Sequence, residues 1–537
     1  MLAFPFAILL VTVTLFGAGV RLAWFHVPIA AALTVAFCAW LTCRMFATHR
    51  TARFLLAVGV TAAVFTACVL LEMQVHDHSW DGQTYHALGI HELAEGWNPV
   101  REAAPEVGPY ARELRYFAKG PWLAASAIYR FTGSFEGGKA FHLYFMLAAC
   151  LFWVGTLLYC CRIRPLWALL AVVPIALNPV SGAQMFTYYV DGLLASLIAI
   201  VMALLILVSR RGGGALLPVL AIAVALTIGV KLNGALYVAI LSGGFWIWRL
   251  FVRRAGTGAL FAWLVVGALA GAGVTGFNPY VSQFAAGSAT RGNPLQPLAY
   301  WSSIIDLEAQ SMFPGASRVG RVARSLVARS IIWTDTVAEP KLPFTFARWE
   351  WGQFASPDVR LGGFGPLFSG ALLLALATFV LLPFRRRRLR SWADLLVLAG
   401  LLVVSVLSFS GAWWARLAPQ LGFVPVLIGI VGLHLVRQAG YRWVPRALIV
   451  VLCLNSVGVL AAHVSFAVGQ SAVSHRQLAA LRALDTAVPV PDLEGFPGVR
   501  YRLERAGVRY YETASLPCPE ELQEPLTLDL LICRPEP

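Results

Sequence analysis

Two aspartates and three histidines crowd into HDHSWDGQTYH (76–86), directly after an apolar run. An ionisable side chain at the rim of a membrane span is costly unless it meets water or a ligand. The chemistry open to Asp81 is that of a general base, drawing a proton from an acceptor hydroxyl. Asp77 competes for that role and otherwise reads, with His86, as a substrate contact. A blander role for Asp81 is helix N-cap, with Gly82 as the first helical residue. The histidine spacing, H-x-H-x₇-H, does not match a tight zinc site.

A second acid, Asp191 in TYYVDG (187–192), stands at the start of another apolar run. Its plain reading is an acid favoured by the helix dipole. Two acids at separate span entrances could jointly bind an acceptor or a divalent cation; no cofactor is fixed by the sequence. Three cations complete the set: Lys119 in AKGPW, Lys231 in KLNG and Arg416 in WWARLAPQ. Long basic chains often snorkel at a membrane rim. The functional reading is a phosphate clamp, in which Arg forks onto the oxygens and Lys adds a point charge.

The elements that must position these groups are membrane spans. Hydrophobic residues make up 58% of the 537-residue chain and charged residues 13%, against about a quarter charged in soluble proteins. Apolar runs of span length recur near 2–20, 27–43, 53–72, 141–160, 166–180, 187–207, 215–230, 234–250, 258–276, 364–383, 392–410, 418–436 and 447–467, about thirteen in all. The expected fold is an all-α polytopic membrane protein; the short alternating strands of a barrel are absent from the sequence. The first run lacks a basic flank and a small-residue cleavage site, so it reads as a retained helix.

The net charge of +15 is distributed as an orientation signal, which argues against nucleic acid as a partner. With the N-terminus inside, the inward loops collect Arg44, Arg50 and Arg53; Arg162 and Arg164; Arg210 and Arg211; Arg249, Arg253 and Arg254; Arg385 to Arg388 with Arg390; and Arg437, Arg442 and Arg446. This is the positive-inside pattern. Two long loops, 73–140 and 277–363, and the tail then face outward. The expected division is a transmembrane domain over 1–467 and a small α/β tail domain over 468–537.

In the first loop, Gly82 to Glu95 reads as an amphipathic helix, and 121–131 as a second one lying in the interface or re-entering. In the second loop, GNPLQP (292–297) is turn-rich, and 319–333 places Val319, Val322, Leu326 and Trp333 on one face of a basic helix. Asn178 with Pro179 could break a helix. Seven cysteines in or beside spans read as packing residues. Cys518 and Cys533 lie in the outward tail, where a disulfide is chemically permitted.

SWDGQTYH, KGPW, YYVDG, KLNG, GNPLQP and WWARLAP, in that order and on one side, resemble bacterial membrane glycosyltransferases of the GT-C superfamily. The likeness is to the dolichyl-phosphate-mannose-protein mannosyltransferase-like and ArnT-like branch, over roughly 70–420. The resemblance implies a polyprenyl-phosphate sugar as donor and a glycan, lipid or protein hydroxyl as acceptor. It places Asp81 at catalysis, Asp191 in positioning substrate or metal, and Arg416 with Lys231 on the lipid phosphate. It also implies a bacterial inner membrane, with the site and C-terminus periplasmic. Two departures stand out: the acidic loop follows the third span rather than the first, as though a hairpin had been added, and no DD or ExD pair is present. Competing readings are a lipid-linked glycan polymerase or ligase, a transporter or flippase with polar groups deep in its spans, and a non-catalytic assembly protein.

Overall fold

The computed structural model describes the whole chain except residues 212–213, 253–255, 278, 280–295, 333–335, 384–391, 437, 520–522, 528–529 and 534–537. Most of GNPLQP, Trp333, Arg253, Arg254, Arg437 and the Arg385–Arg390 cluster fall outside the described residues.

Every apolar run becomes a helix. Among the described residues, seven helices are long and apolar enough to cross a membrane: His26–Met45, Arg50–Glu72, Glu136–Cys160, Asp191–Arg210, Leu232–Val252, Thr257–Thr275 and Trp443–Arg482. The shorter apolar helices are Ala3–Gly17, Pro165–Ala176, Gly214–Val230, Phe368–Val380, Ala393–Leu407 and Pro419–Leu435. The chain is a multi-pass, all-helical membrane protein with a small mixed tail.

Burial separates the centre from the rim of the bundle. In Asp191–Arg210, 89% of the apolar stretch is buried inside the protein, against 11% in Arg50–Glu72. Leu55 and Leu56 on the latter face outward. A helix hydrophobic all round belongs in the interior, and one with outward leucines suits lipid. The second and third helices are therefore peripheral, and Asp191 heads the most enclosed of the long spans. The suspected break is real: Pro165–Ala176 ends, and the Asn178 side chain accepts from the Val180 N–H to start a short helix, Pro179–Gln184, with Pro179 in its first turn.

The expected loop helices form and differ in detail. The segment 121–131 forms a helix, Gly120–Thr132, whose first two thirds are enclosed by protein, with Trp122, Leu123, Ala124, Ala125, Ala127 and Ile128 all buried. Gly120 sets its approach, since a Cβ there would sit 2.6 Å from the Gly229 carbonyl oxygen. The amphipathic stretch after Asp81 is a π-turn, Gly82–His86, leading into a helix, Ala87–Glu95. The basic helix of the second loop is shorter than expected, Arg318–Leu326, and is capped by Ser317. Beyond it the chain runs extended, bridging Ala328 to Pro340 and Ile331 to Leu361. Glu350 ties this loop together, accepting from the backbone of Ser330 (2.9 Å) and Ala347 (2.8 Å) and from Lys341 (2.6 Å).

The helix of the last span does not stop near 467. It continues to Arg482 as one 40-residue helix, roughly 60 Å long, and carries the tail. There β1 (Val488–Pro491) pairs in parallel with β2 (Tyr510–Thr513) across the helix Pro497–Ala506, and β3 (Gln523–Thr527) pairs antiparallel with β4 (Leu530–Cys533). The tail has its own core around Val490, Leu493, Val499, Leu503 and Ile532. Cys518 and Cys533 are disulfide-bonded, with Cα atoms 5.9 Å apart.

Candidate active site

The polar run 76–86 splits into two clusters. Ser79, not Asp81, caps the helical turn: its hydroxyl accepts from the Gly82 N–H at 3.2 Å, and Asp81 makes no cap bond. Asp81 is thereby free to face across the protein. Its Oδ2 accepts from the Tyr85 hydroxyl at 2.7 Å and from Arg416 Nη1 at 3.0 Å.

Arg416 sits in a loop between the helices Ala393–Leu407 and Phe423–Leu435. Tyr237 holds that loop by donating to the Leu417 carbonyl at 2.6 Å. The guanidinium lies against Tyr189 and Trp414, 4.9 and 4.4 Å from the ring centroids. Its Nε is 3.1 Å from Asp358 Oδ1, and Trp414 Nε1 donates to the same carboxylate at 3.0 Å. Asp358 also stands 3.7 Å from Arg360, which pairs with Glu308 at 2.9 Å. Arg416 is therefore held between two carboxylates from widely separated parts of the chain, Asp81 and Asp358.

Asp191 pairs with Lys231 at 2.9 Å. The pair couples electrostatically to the first group: Asp191 acts on Arg416 and Asp358, and Lys231 acts on His86. Asp81, Asp191, Lys231 and Arg416 thus gather in one neighbourhood. YYVDG contributes twice, through the Tyr189 ring and the Asp191 carboxylate.

Burial pushes the Asp81 carboxyl up, but Arg416, His86 and the Tyr85 hydrogen bond outweigh it and hold the group below the usual carboxylate range. Burial raises Asp358 to about 6, against the pull of Arg416 and Arg360. Burial and the Asp81 charge keep the Tyr85 hydroxyl protonated, so it remains a donor.

The other expected contacts lie elsewhere. His86 is buried behind Asp81, its Nδ1 accepting from Trp122 Nε1 at 2.7 Å, and burial depresses its basicity to about 3. Lys119 is enclosed by the Trp97 and Trp122 rings and bonds the Phe117 carbonyl, away from the Asp81–Arg416 pair. Asp77 belongs to the second cluster. Its Oδ1 accepts from Ser79 N–H (2.8 Å) and Oγ–H (2.6 Å), and its Oδ2 from Tyr188 N–H (2.7 Å). Around it stand Glu136, Lys139 and Glu72, with Lys139 bridging the two glutamates at 2.8 and 3.8 Å. Asp77 is spent on holding backbone.

Asp81 and Asp191 are the two acids the sequence offered to a divalent cation. Each is matched by a basic side chain, and among the described residues no three His, Cys, Asp or Glu side chains converge in a way that could hold a metal.

Asp358, Tyr85 and Tyr189 were missed by sequence reasoning. Tyr85 lay within the opening motif, four residues after Asp81, where one helical turn brings side chains together. Asp358, in SPDVR, carried only a weak signal: an outward acid two residues from an arginine, in a loop rich in other charges.

No family model matches the chain, and no curated protein matches it. Among solved structures it is similar to the crystal structure of ArnT from Cupriavidus metallidurans in the apo state. The identity is 12% and the TM-score 0.42, over 85% of this chain and 86% of that one. Nothing about this chain's chemistry follows from a likeness of that size.

Proposed function

We propose that the protein is an integral membrane glycosyltransferase of the GT-C type, moving a sugar from a polyprenyl-phosphate donor to an acceptor hydroxyl. The observation that carries this reading is the shared grip on Arg416. A carboxylate poised as base (Asp81) and a second carboxylate (Asp358) hold one guanidinium from two sides, next to a lysine–aspartate pair.

In the proposed reaction the donor phosphate takes over Arg416, which forks naturally onto phosphate oxygens. Asp358 keeps the Nε edge of the guanidinium oriented. Asp81, relieved of its cation, gains basicity and keeps the Tyr85 hydrogen bond, which orients it. The acceptor oxygen attacks the anomeric carbon as the bond from that carbon to the phosphate oxygen breaks. The acceptor proton passes to Asp81. The bonding pair leaves with the polyprenyl phosphate, which gains one negative charge beside Arg416 and Lys231. The leaving group is already anionic, so no strong general acid is required. Single displacement predicts inversion at the sugar.

The residues sit at span ends, not deep in the bundle, which weighs against a transporter. A polymerase or ligase using a lipid diphosphate would suit the same cations, and the donor panel separates the two. Purified protein is incubated with radiolabelled polyprenyl-monophosphate and polyprenyl-diphosphate sugars and membrane acceptors. Transfer from monophosphates, with inverted product by NMR, is expected. Transfer from diphosphates alone would replace this reading with the polymerase one. Inactivity of every donor, or full activity of Asp81→Asn, would end it. The charge pattern of the loops supports a cytoplasmic N-terminus, with the site and the C-terminus on the opposite side, and the resemblance to GT-C enzymes supports a bacterial inner membrane with that side periplasmic.

A further inference from the structure

A cavity of about 370 Å³ opens between the helical body and the tail, within the size range of small-ligand sites. Arg482, at the end of the long helix, Arg502 and Arg505, from the tail helix, and His475 line it. Glu136 is the acid on its wall among the described residues. That carboxylate is already met by Lys139 at 2.8 Å, His76 at 3.2 Å and Arg502 at 3.3 Å.

Arg482 and Arg505 are in no ion pair among the described residues, and both are exposed. Arg505 is nonetheless ordered, its guanidinium 4.1 Å from the Tyr129 ring centroid. Tyr501 lines the same cavity and is fixed by stacking on His91, centroids 3.7 Å apart and planes 6° apart. Uncompensated guanidinium groups around a cavity recruit an anion, and their fork geometry matches phosphate or carboxylate. A rigid aromatic ring beside them offers a flat apolar surface, of the kind a sugar ring covers.

The position strengthens the case. Met73 follows the span Arg50–Glu72 and Glu136 opens the span Glu136–Cys160, so the cavity lies at the ends of two membrane helices. It also adjoins the polar run: Arg502 donates to the Asp77 carbonyl at 2.8 Å, and Trp80 packs on Phe496 of the tail at 5.0 Å.

We propose that this seam is a second binding site, taking a sugar that bears a phosphate or a carboxylate. It rests on the glycosyltransferase reading only in naming that sugar as the acceptor. Such a group could arrive on a membrane glycolipid or on a water-borne glycan.

The test is calorimetric titration of the full-length protein in phosphatidylcholine nanodiscs with glucose 1-phosphate, glucuronate, glucose and inorganic phosphate. Both acidic sugars should bind roughly tenfold or more tightly than glucose or phosphate alone. The variant Arg482→Gln/Arg505→Gln, changed only at exposed positions that rarely disturb folding, should lose at least about that factor, while Arg416→Lys should keep the affinity. Equal binding of glucose and glucose 1-phosphate, unchanged binding in the double variant, or loss in Arg416→Lys alone would each overturn the proposal. Repeating the titration with phosphatidylglycerol in the nanodisc separates the sources. Competition by that lipid assigns the anion to the membrane, and undiminished binding assigns it to water. Binding is read without turnover, so failure here leaves the transferase reading standing, and an inactive donor panel leaves this site standing.

Discussion

Asp77 and Asp81 are four residues apart, are the same residue type, and follow the same span, yet the protein uses them differently. Among the described residues, the Asp81 carboxylate bonds to side chains, Tyr85 and Arg416. Asp77 bonds mainly to backbone, at Ser79 and Tyr188, with the Ser79 hydroxyl added. A side-chain partner can move to an arriving ligand, whereas a backbone N–H cannot leave without unfolding its segment. Gly82 lies between the two roles, since a Cβ there would stand 1.9 Å from Asp77 Oδ2 and 2.4 Å from Ser79 Oγ. The close packing that fixes Asp77 is also what turns Asp81 toward Arg416. Chemistry at a span edge is set less by the carboxylate than by what it holds.

The sharpest way to break this contrast is Asp81→Asn. Turnover should fall roughly 10³-fold, the scale of a lost general base, with the thermal midpoint in detergent nearly unchanged. A large drop in midpoint would make Asp81 a second structural acid. Asp77→Ala should do the reverse. It strands the buried N–H groups of Ser79 and Tyr188, costing roughly 2–5 kcal/mol of stability, while surviving protein keeps most of its turnover. Wild-type melting of that variant would remove the structural role.

Arg416→Lys keeps the charge but loses the fork that spans Asp81 and Asp358. Donor affinity and turnover should drop by roughly 10- to 100-fold, and a variant as active as the parent would show that a point charge suffices. The smallest effect concerns Asp358, whose carboxyl is pushed up to about 6. As pH falls through that value it gains a proton, and its hold on Arg416 weakens. Turnover should then decline roughly threefold below pH 6, as one charge-assisted contact among several is lost. Asp358→Asn should be flat across the same interval, near the acid level. An unaltered pH profile in that variant would assign the decline to another group.

The helices were legible because hydrocarbon imposes a length and a composition on anything that crosses it. Each apolar run matches a helix, and the errors fall at ends and outside the spans, where packing against neighbours decides. The helix Gly120–Thr132 looked interfacial by its amphipathicity, but Ser126 on it is buried against the Ile90 carbonyl and Gly120 packs on Gly229, while Arg130 stays exposed. The end of the long helix at Arg482 was invisible because polar residues can continue a helix once it has left hydrocarbon. Within the candidate site, Asp81, Asp191, Lys231 and Arg416 could be picked by type and by placement at span ends. Lys119 and His86 satisfied the same criterion and went to aromatic packing.

The sequence by itself determined a multi-span helical protein and a shortlist of charged residues at the ends of its spans, because membrane insertion is governed by local hydrophobicity and charge. The pairing of those charges was decided only in three dimensions. Asp81 meets Arg416 across 335 positions, and Arg416 meets Asp358, which no periodicity marks. Two charges interact according to their separation in space and the dielectric between them, and neither quantity is written along a chain.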